Sequence, residues 1–230
     1  KSSHQRYTPF AVEPKEVVVS GCNDFGRSVA VDIQRNGDLA GEIYLDATLV
    51  MDTSKNTGQG SKGQFRTAWN KNPGFRMLEK VRFEIGGGKI DEMLGTWMEV
   101  WHELSKEDDQ GTGWDTLIGN SGDNQELKWT EVSSTARSCQ VYVPLQFYFN
   151  KYRSLACPLI ALQYHEVKLH LEFKKASDMI VVDDFCADGI TAPIVTPKID
   201  KLRCVVFYYF LQNEERTRFA QQSYETLITQ

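Results

Sequence analysis

The sequence predicts an antiparallel β-sandwich or β-barrel, and two patterns of apolar residues carry this prediction. In the first, every second residue of 167–173 is apolar, and the residues between them are charged or polar. A period of two is typical of a β-strand with one buried face and one face in water. In the second, residues 202–211 are apolar at nearly every position after Arg203. That pattern predicts a strand covered on both faces.

Four other segments show the same alternation, and each is predicted to contain a strand. In chain order they are residues 25–33, 43–51, 81–85 and 141–149. The first two are joined by the turn sequence of residues 35–38, in which Gly37 suits a positive φ. A two-residue Asn-Gly hairpin loop would put the two apolar sets on opposite faces of a sheet. The turn is therefore predicted to be either a three-residue loop or a corner between two facing sheets.

Residues 90–104 change from the strand period to a helical one. Met93, Trp97 and Trp101 follow one another at intervals of four, which predicts an amphipathic helix inserted in the β-protein. The same spacing favours a core position for both tryptophans over a role as a sugar-binding platform. Residues 52–72 and 107–137 are polar and contain glycines. They are predicted to be long surface loops between strands.

Length and charge limit the classes of function. The chain has 230 residues and a formal net charge of −5, with no block of basic residues. That length suits one large all-β domain. A nucleic-acid surface needs clustered Lys and Arg, so direct contact with nucleic acid is not expected. No segment has the apolar length of a membrane span or of a signal peptide, so we expect a soluble, non-secreted protein without membrane insertion.

The five cysteines are widely spaced and include no C-x-x-C pair. This spacing argues against a zinc cluster or a redox motif. Cys139 and Cys204 lie within apolar strand segments, and both are predicted to be buried thiols. Buried thiols are consistent with assembly in a reducing cytosol.

Several residue groups superficially resemble chemical motifs, but none has the required spacing. His165 and His170 are five residues apart on a predicted strand, so their side chains are expected on opposite faces rather than around a metal. Residues 86–89 lack the spacing of a phosphate-binding loop and predict a glycine-rich turn. A calcium loop beginning at Asp108 would need glutamate at its twelfth position, where the chain has Gly119. No catalytic triad can be assembled, so neither an enzyme nor a cofactor is expected.

Six segments are similar to one family, the major capsid proteins of nucleocytoplasmic large DNA viruses, which include phycodnaviruses, iridoviruses and mimiviruses. They are residues 4–13, 24–49, 81–104, 142–151, 158–173 and 213–230. The resemblance implies two consecutive eight-stranded antiparallel jelly rolls. This chain is then expected to hold the first one at residues 1–212, followed by a connector at 213–230 towards a second jelly roll outside this sequence. It also favours the corner interpretation of residues 35–38.

The resemblance also implies a structural function. Three copies would form a homotrimer with a pseudo-hexagonal outline, and these capsomers would tile an icosahedral shell. The expected partners are the chain itself, neighbouring capsomers and minor capsid proteins, with any internal membrane reached only through other proteins. The expected location is the virion, after assembly in the host cytoplasm. Candidate assembly contacts are Trp97, Trp101, Phe219 and Tyr224.

Two alternatives remain open on the sequence. One is a minor or penton-type capsid protein with a single jelly roll. The other is a carbohydrate-binding jelly roll that would use Trp114 or Trp129 in the second long loop.

Overall fold

The computed structural model describes residues 9–52, 65–106, 111–120, 130–131, 137–184, 195–221, 225–226 and 228. Within them the strands are β1 (Ala11–Val17), β2 (Val19–Gly21), β3 (Ser28–Asp32), β4 (Leu39–Asp52), β5 (Phe65–Trp69), β6 (Leu78–Ile85), β7 (Gly88–Leu94), β8 (Thr130–Glu131), β9 (Arg137–Pro144), β10 (Val167–Phe173), β11 (Ile180–Asp184) and β12 (Thr196–Phe210). The α-helices are α1 (Pro73–Arg76), α2 (Gly95–Ser105), α3 (Gly111–Leu117), α4 (Tyr148–Lys151) and α5 (Asn213–Gln221).

Two antiparallel sheets enclose the core. The first has the strand order β1-β12-β4-β9, and the second has the order β2-β3-β10-β6-β7. Apart from the hairpin β6–β7 and the edge pair β2–β3, each successive strand of these two sheets crosses to the opposite sheet. This order is that of a jelly roll, in which two Greek keys fold onto one another. The predicted class, an all-β jelly-roll sandwich with an inserted helix, is confirmed.

The long connections are more ordered than the sequence predicted. Strands β5, β8 and β11 form a third, three-stranded sheet, and β5 lies inside the segment predicted to be a polar loop. In the second predicted loop, α3 ends beside Ile118, which is completely buried in the core. Both segments hold apolar residues among polar ones, and those residues find partners on strands distant in sequence. Residues 53–64 of the first loop lie outside the described residues.

Alternation sets the packing of the two main sheets. The residues of β10 alternate between buried and partly exposed along the whole strand, and Leu169 pairs with Val31 on one side and Phe83 on the other. The predicted strands at 43–51 and 81–85 are confirmed. In the segment 141–149, however, β9 ends at Pro144. The buried Phe147 and Phe149 follow it in a loop and in α4.

Residues 35–38 form a corner between β3 of the second sheet and β4 of the first, which confirms the corner interpretation. The reason for Gly37 differs from the one predicted, since its φ is not in the positive region. A Cβ atom at Gly37 would lie 2.7 Å from the Cβ of Tyr208. Close approach of two chain segments therefore explains the glycine, as it often does where strands meet.

Strand β12 lies between β1 and β4 in the first sheet. Its inner face is buried, as predicted. Its outer face is only partly covered, so the prediction that both faces are covered is wrong for the outer face. On that outer face the ring of Phe207 packs against Tyr44 with 5.7 Å between centroids. Tyr209 packs in a separate small apolar cluster with Leu39 and Ala156.

The inserted helix begins later than predicted. Residues 90–94 belong to β7, and α2 begins at Gly95. Gly86 and Gly87 both have positive φ and form the hairpin turn that joins β6 to β7. The glycine-rich turn is confirmed, but a strand follows it, not a helix.

Cys139 and Cys204 lie buried in β9 and β12, as predicted. Burial raises the pKa of the Cys204 thiol to about 12, and it has the same effect on Cys157. Both groups therefore stay protonated at neutral pH and act as small apolar side chains.

Candidate assembly surface

Helix α2 presents opposite faces to the core and to solvent. Its buried residues are Gly95, Met98 and His102. The other side carries large apolar side chains in water: Leu94 is 50% exposed, Trp97 50%, Val100 47% and Leu104 74%. We call these four residues, together with the partly exposed Trp101, the α2 face. The prediction that both tryptophans lie in the core was wrong, because Met98 and His102 take the inward side.

A cation and a second aromatic side chain extend the α2 face. The rings of Trp97 and Trp101 lie 6.2 Å apart between centroids. The ammonium group of Lys151, at the end of α4, lies 4.4 Å from the centroid of the Trp101 ring. This distance is within the range of a cation–π interaction. Tyr152 follows and is 67% exposed, so α4 continues the apolar surface.

Close backbone contact fixes α2 on the sandwich. A Cβ atom on Gly95 would lie 2.6 Å from the carbonyl oxygen of Phe75 and closer still to that of Leu78. Farther along the helix, Asn72 donates a hydrogen bond from Nδ2 to Glu99 Oε1 at 2.9 Å. The α2 face is thus mounted on a rigid support rather than on a mobile loop.

His102 joins α2 to two other helices. Its ring lies 5.8 Å from the ring of Phe75 in α1 and 4.9 Å from that of Trp114 in α3. The residue is only 3% exposed, and among the described residues its Nε2 atom has no hydrogen-bond partner. Burial among aromatic rings lowers the pKa of this imidazole, so the neutral form is favoured.

An open cleft of about 380 Å³ lies beside His102, between α2, α4 and the ends of β4 and β9. Its walls include Glu42, Tyr44, Trp101, Lys106, Trp114 and Lys151. The cleft therefore combines two indole rings with charged groups of both signs.

The other predicted contacts have different surroundings. Phe219 of α5 packs against the small cluster of Leu39, Ala156 and Tyr209 of its own chain. Tyr224 and Trp129 lie outside the described residues. Trp114 is partly buried against the core.

Asp38 anchors α5 to the corner, a role that the sequence pattern does not predict. Its carboxylate accepts a hydrogen bond from the backbone N–H of Leu211 at 2.8 Å and forms an ion pair with Arg216 at 3.1 Å. Asp38 is 7% exposed. The only sequence signal is an acidic residue in a turn, which does not reveal a partner so far along the chain.

Replacing Asp38 by alanine is expected to cost about 2 kcal/mol of unfolding free energy, because the partly buried N–H of Leu211 loses its acceptor. Arg216→Met removes only the ion pair, whose arginine side chain is 58% exposed, and should cost less than about 1 kcal/mol. Urea unfolding measures both values, and hydrogen exchange follows α5. Equal losses in the two variants would show that the N–H contact contributes little.

The outer face of the second sheet is ionic and contrasts with the α2 face. Arg82 pairs with Glu92 at 3.1 Å and lowers the pKa of that carboxyl group. His170 contacts Glu84 at 3.1 Å. His165 lies in the turn before β10, not on the strand. In the part of the chain that the structure describes, no three potential metal ligands come together, and no helix has the length and apolar character to span a membrane.

The jelly-roll strand order and the closely packed helix α2 define a jelly-roll protein that presents an exposed apolar surface. Residues 1–212 match the family model described as major capsid protein N-terminus, and the chain belongs to that family. The resemblance inferred from the sequence is thereby confirmed.

Individual relatives support the same assignment. Capsid protein 1 of Acanthamoeba polyphaga mimivirus is 36% identical over 236 residues, covering 100% of this chain and 39% of that protein. The major capsid protein of Pyramimonas orientalis virus is 35% identical over 230 residues, covering 100% of this chain and 52% of that protein. A chain of the PBCV-1 virus capsid superposes with a TM-score of 0.72 and 32% identity, covering 99% of this chain and 49% of that one. The chain spans about half the length of the relatives it matches.

Proposed function

We propose that this chain is a structural, non-enzymatic subunit of an icosahedral viral capsid, and that it associates with other copies through the α2 face. The observation that carries the proposal is the row of half-exposed apolar side chains on α2. Exposed apolar patches of this kind mark protein contacts. Membership of the capsid family supplies the kind of partner. The ionic outer face of the second sheet suits solvent instead.

The proposal extends to the arrangement of the capsomer. Three copies form a ring of heterologous contacts that closes, and neighbouring capsomers and minor capsid proteins complete the shell. The protein is then a virion component assembled in the host cytoplasm. Residues 1–212 are the first of two jelly rolls and residues 213–230 the connector. The partly exposed outer face of β12, with Val205 and Phe207, suits contact with the second jelly roll.

One observation favours a second candidate function. The cleft beside α2 has the indole rings of Trp101 and Trp114 among its walls, together with charged and amide side chains. Such walls suit a sugar ring, so a carbohydrate-binding jelly roll is the alternative.

The mass in solution tests the proposal. Light scattering of the protein from its natural source, together with the mass of the intact chain, should give a stable trimer of a chain about twice as long as this one. A monomer or pentamer of a chain that ends near residue 230 would contradict it and favour a single jelly-roll capsid protein. Binding of glycans by the monomer, abolished by Trp114→Ala, would favour the carbohydrate-binding alternative.

A further inference from the structure

His102 is the point where α1, α2 and α3 meet. Phe75 and Trp114 contact its ring from the neighbouring helices, and Met98 lies one turn earlier on the buried side of α2. The α2 face is on the opposite side of the same helix. The packing of His102 and the α2 face thus belong to one helix, and a loss of that packing weakens the support of the α2 face.

Within the described residues, the buried Nε2 atom of His102 has no hydrogen-bond partner that would stabilise a charged imidazole. The nearby charged groups are Glu99, Glu103 and Lys106 on α2 and Asp115 on α3. The three carboxylates favour protonation and Lys106 opposes it, but burial has the largest effect. From α1 the ring meets the apolar side chain of Phe75. A proton on this imidazole would place a poorly solvated charge between two aromatic rings.

We propose that His102 is an acid-sensitive joint, whose protonation loosens α2 and weakens the contacts between subunits. The inference rests on the proposed function, because it concerns the regulation of the same α2 face. Its physical basis is local and does not require any particular capsid architecture.

The lowered pKa of His102 determines how the stability of the packed α2 changes with pH. In the closed state the His102 ring is packed between Phe75 and Trp114, and in the open state α2 has moved away and the imidazole is in water. Since burial lowers the pKa of His102 in the closed state, the open state binds the proton more readily. The closed state is fully stable above the pKa of a solvated histidine, near 6.5. As the pH falls through that value, the open state gains protons first and the closed state loses stability, until the lower pKa is passed.

Hydrogen exchange of the α2 amides, corrected for the intrinsic effect of pH, tests the inference. Between pH 7.5 and 5 we expect exchange in residues 95–105 to rise severalfold in the wild-type chain. His102→Phe keeps an aromatic ring between Phe75 and Trp114, and His102→Gln keeps a neutral polar group. Neither variant should show the acid-dependent rise. His165→Gln, which changes an exposed histidine, is the control and should behave like the wild type.

A measurement on the wild-type chain tests the inference even if the variants do not fold. Exchange of the imidazole C2 proton, followed by mass spectrometry, should show His102 titrating below the pKa of a solvated histidine, near 6.5. The inference is overturned if α2 opens equally in wild type and variants, if the wild type does not open at acid pH, or if His102 titrates at or above the value of a solvated histidine. Light scattering on the same samples tests the proposed function separately. A chain that is monomeric at every pH would contradict the capsid contact, while exchange would still decide the role of His102.

Discussion

Gly95→Ala is expected to lower the free energy of unfolding by about 3 kcal/mol, at the upper end of the range for overpacking. The new Cβ would lie 2.6 Å from the carbonyl oxygen of Phe75 and closer to that of Leu78. Both are backbone atoms, so no side chain can rotate away. Helix α2 would have to move off β6 and α1, with the loss of the packing around Met98 and His102.

Helix propensity alone predicts that Gly95→Ala would raise the free energy of unfolding. A second glycine in a helix therefore separates the two effects. Alanine is favoured over glycine within helices by about 1 kcal/mol. Gly113 in α3 is the matched control, since a Cβ there would meet nothing within 4 Å. We expect Gly113→Ala to leave stability unchanged or to raise it slightly.

Thermal and urea unfolding measure both variants. For a domain of this length a loss of 3 kcal/mol corresponds to a fall in Tm of about 6–12 °C. If Gly95→Ala unfolds like Gly113→Ala, α2 is not held by close backbone contact, and the rigid support assigned to the α2 face is lost with it.

The sequence predicted the strands well because their period is set by burial on one face. It failed at residues 90–94, where the two periods compete. Met93, Trp97 and Trp101 fit a helix, but Asp91 and Met93 also pair across β6 as a strand. The hairpin turn at Gly86 and Gly87 brings residues 90–94 beside β6, where they form a strand. Pairing with β6, and not the local helix or strand propensity, therefore determines their structure.

The orientation of α2 was also beyond the sequence pattern, because apolar side chains occur on both sides of the helix. Small Gly95 and buried His102 mark the inward side only once the neighbouring backbone is known. Similarly, Asp38 and Arg216 lie at opposite ends of the chain, and only the corner between the sheets brings them together. Local sequence determines strands and turns, whereas the contacts that build the candidate surface are long-range.

Trp97→Ala is expected to weaken self-association by about 2 kcal/mol or more, which is roughly a 30-fold increase in Kd. A large aromatic side chain near the centre of a contact commonly contributes this much. Because Trp97 is 50% exposed in the single chain, the same change should cost the monomer only about 1 kcal/mol. The effect on association should therefore exceed the effect on folding.

Two further variants separate a contact role from a packing role. Tyr164→Ala removes an aromatic side chain that is 92% exposed, in the turn before β10, and should alter neither mass nor stability. Trp101→Ala should affect both, because Trp101 contacts Lys151 and lines the cleft. Sedimentation and thermal unfolding of the three variants provide the data. A fall in Tm for Trp97→Ala with no change in assembly would show that this side chain stabilises the fold, and that subunits meet elsewhere.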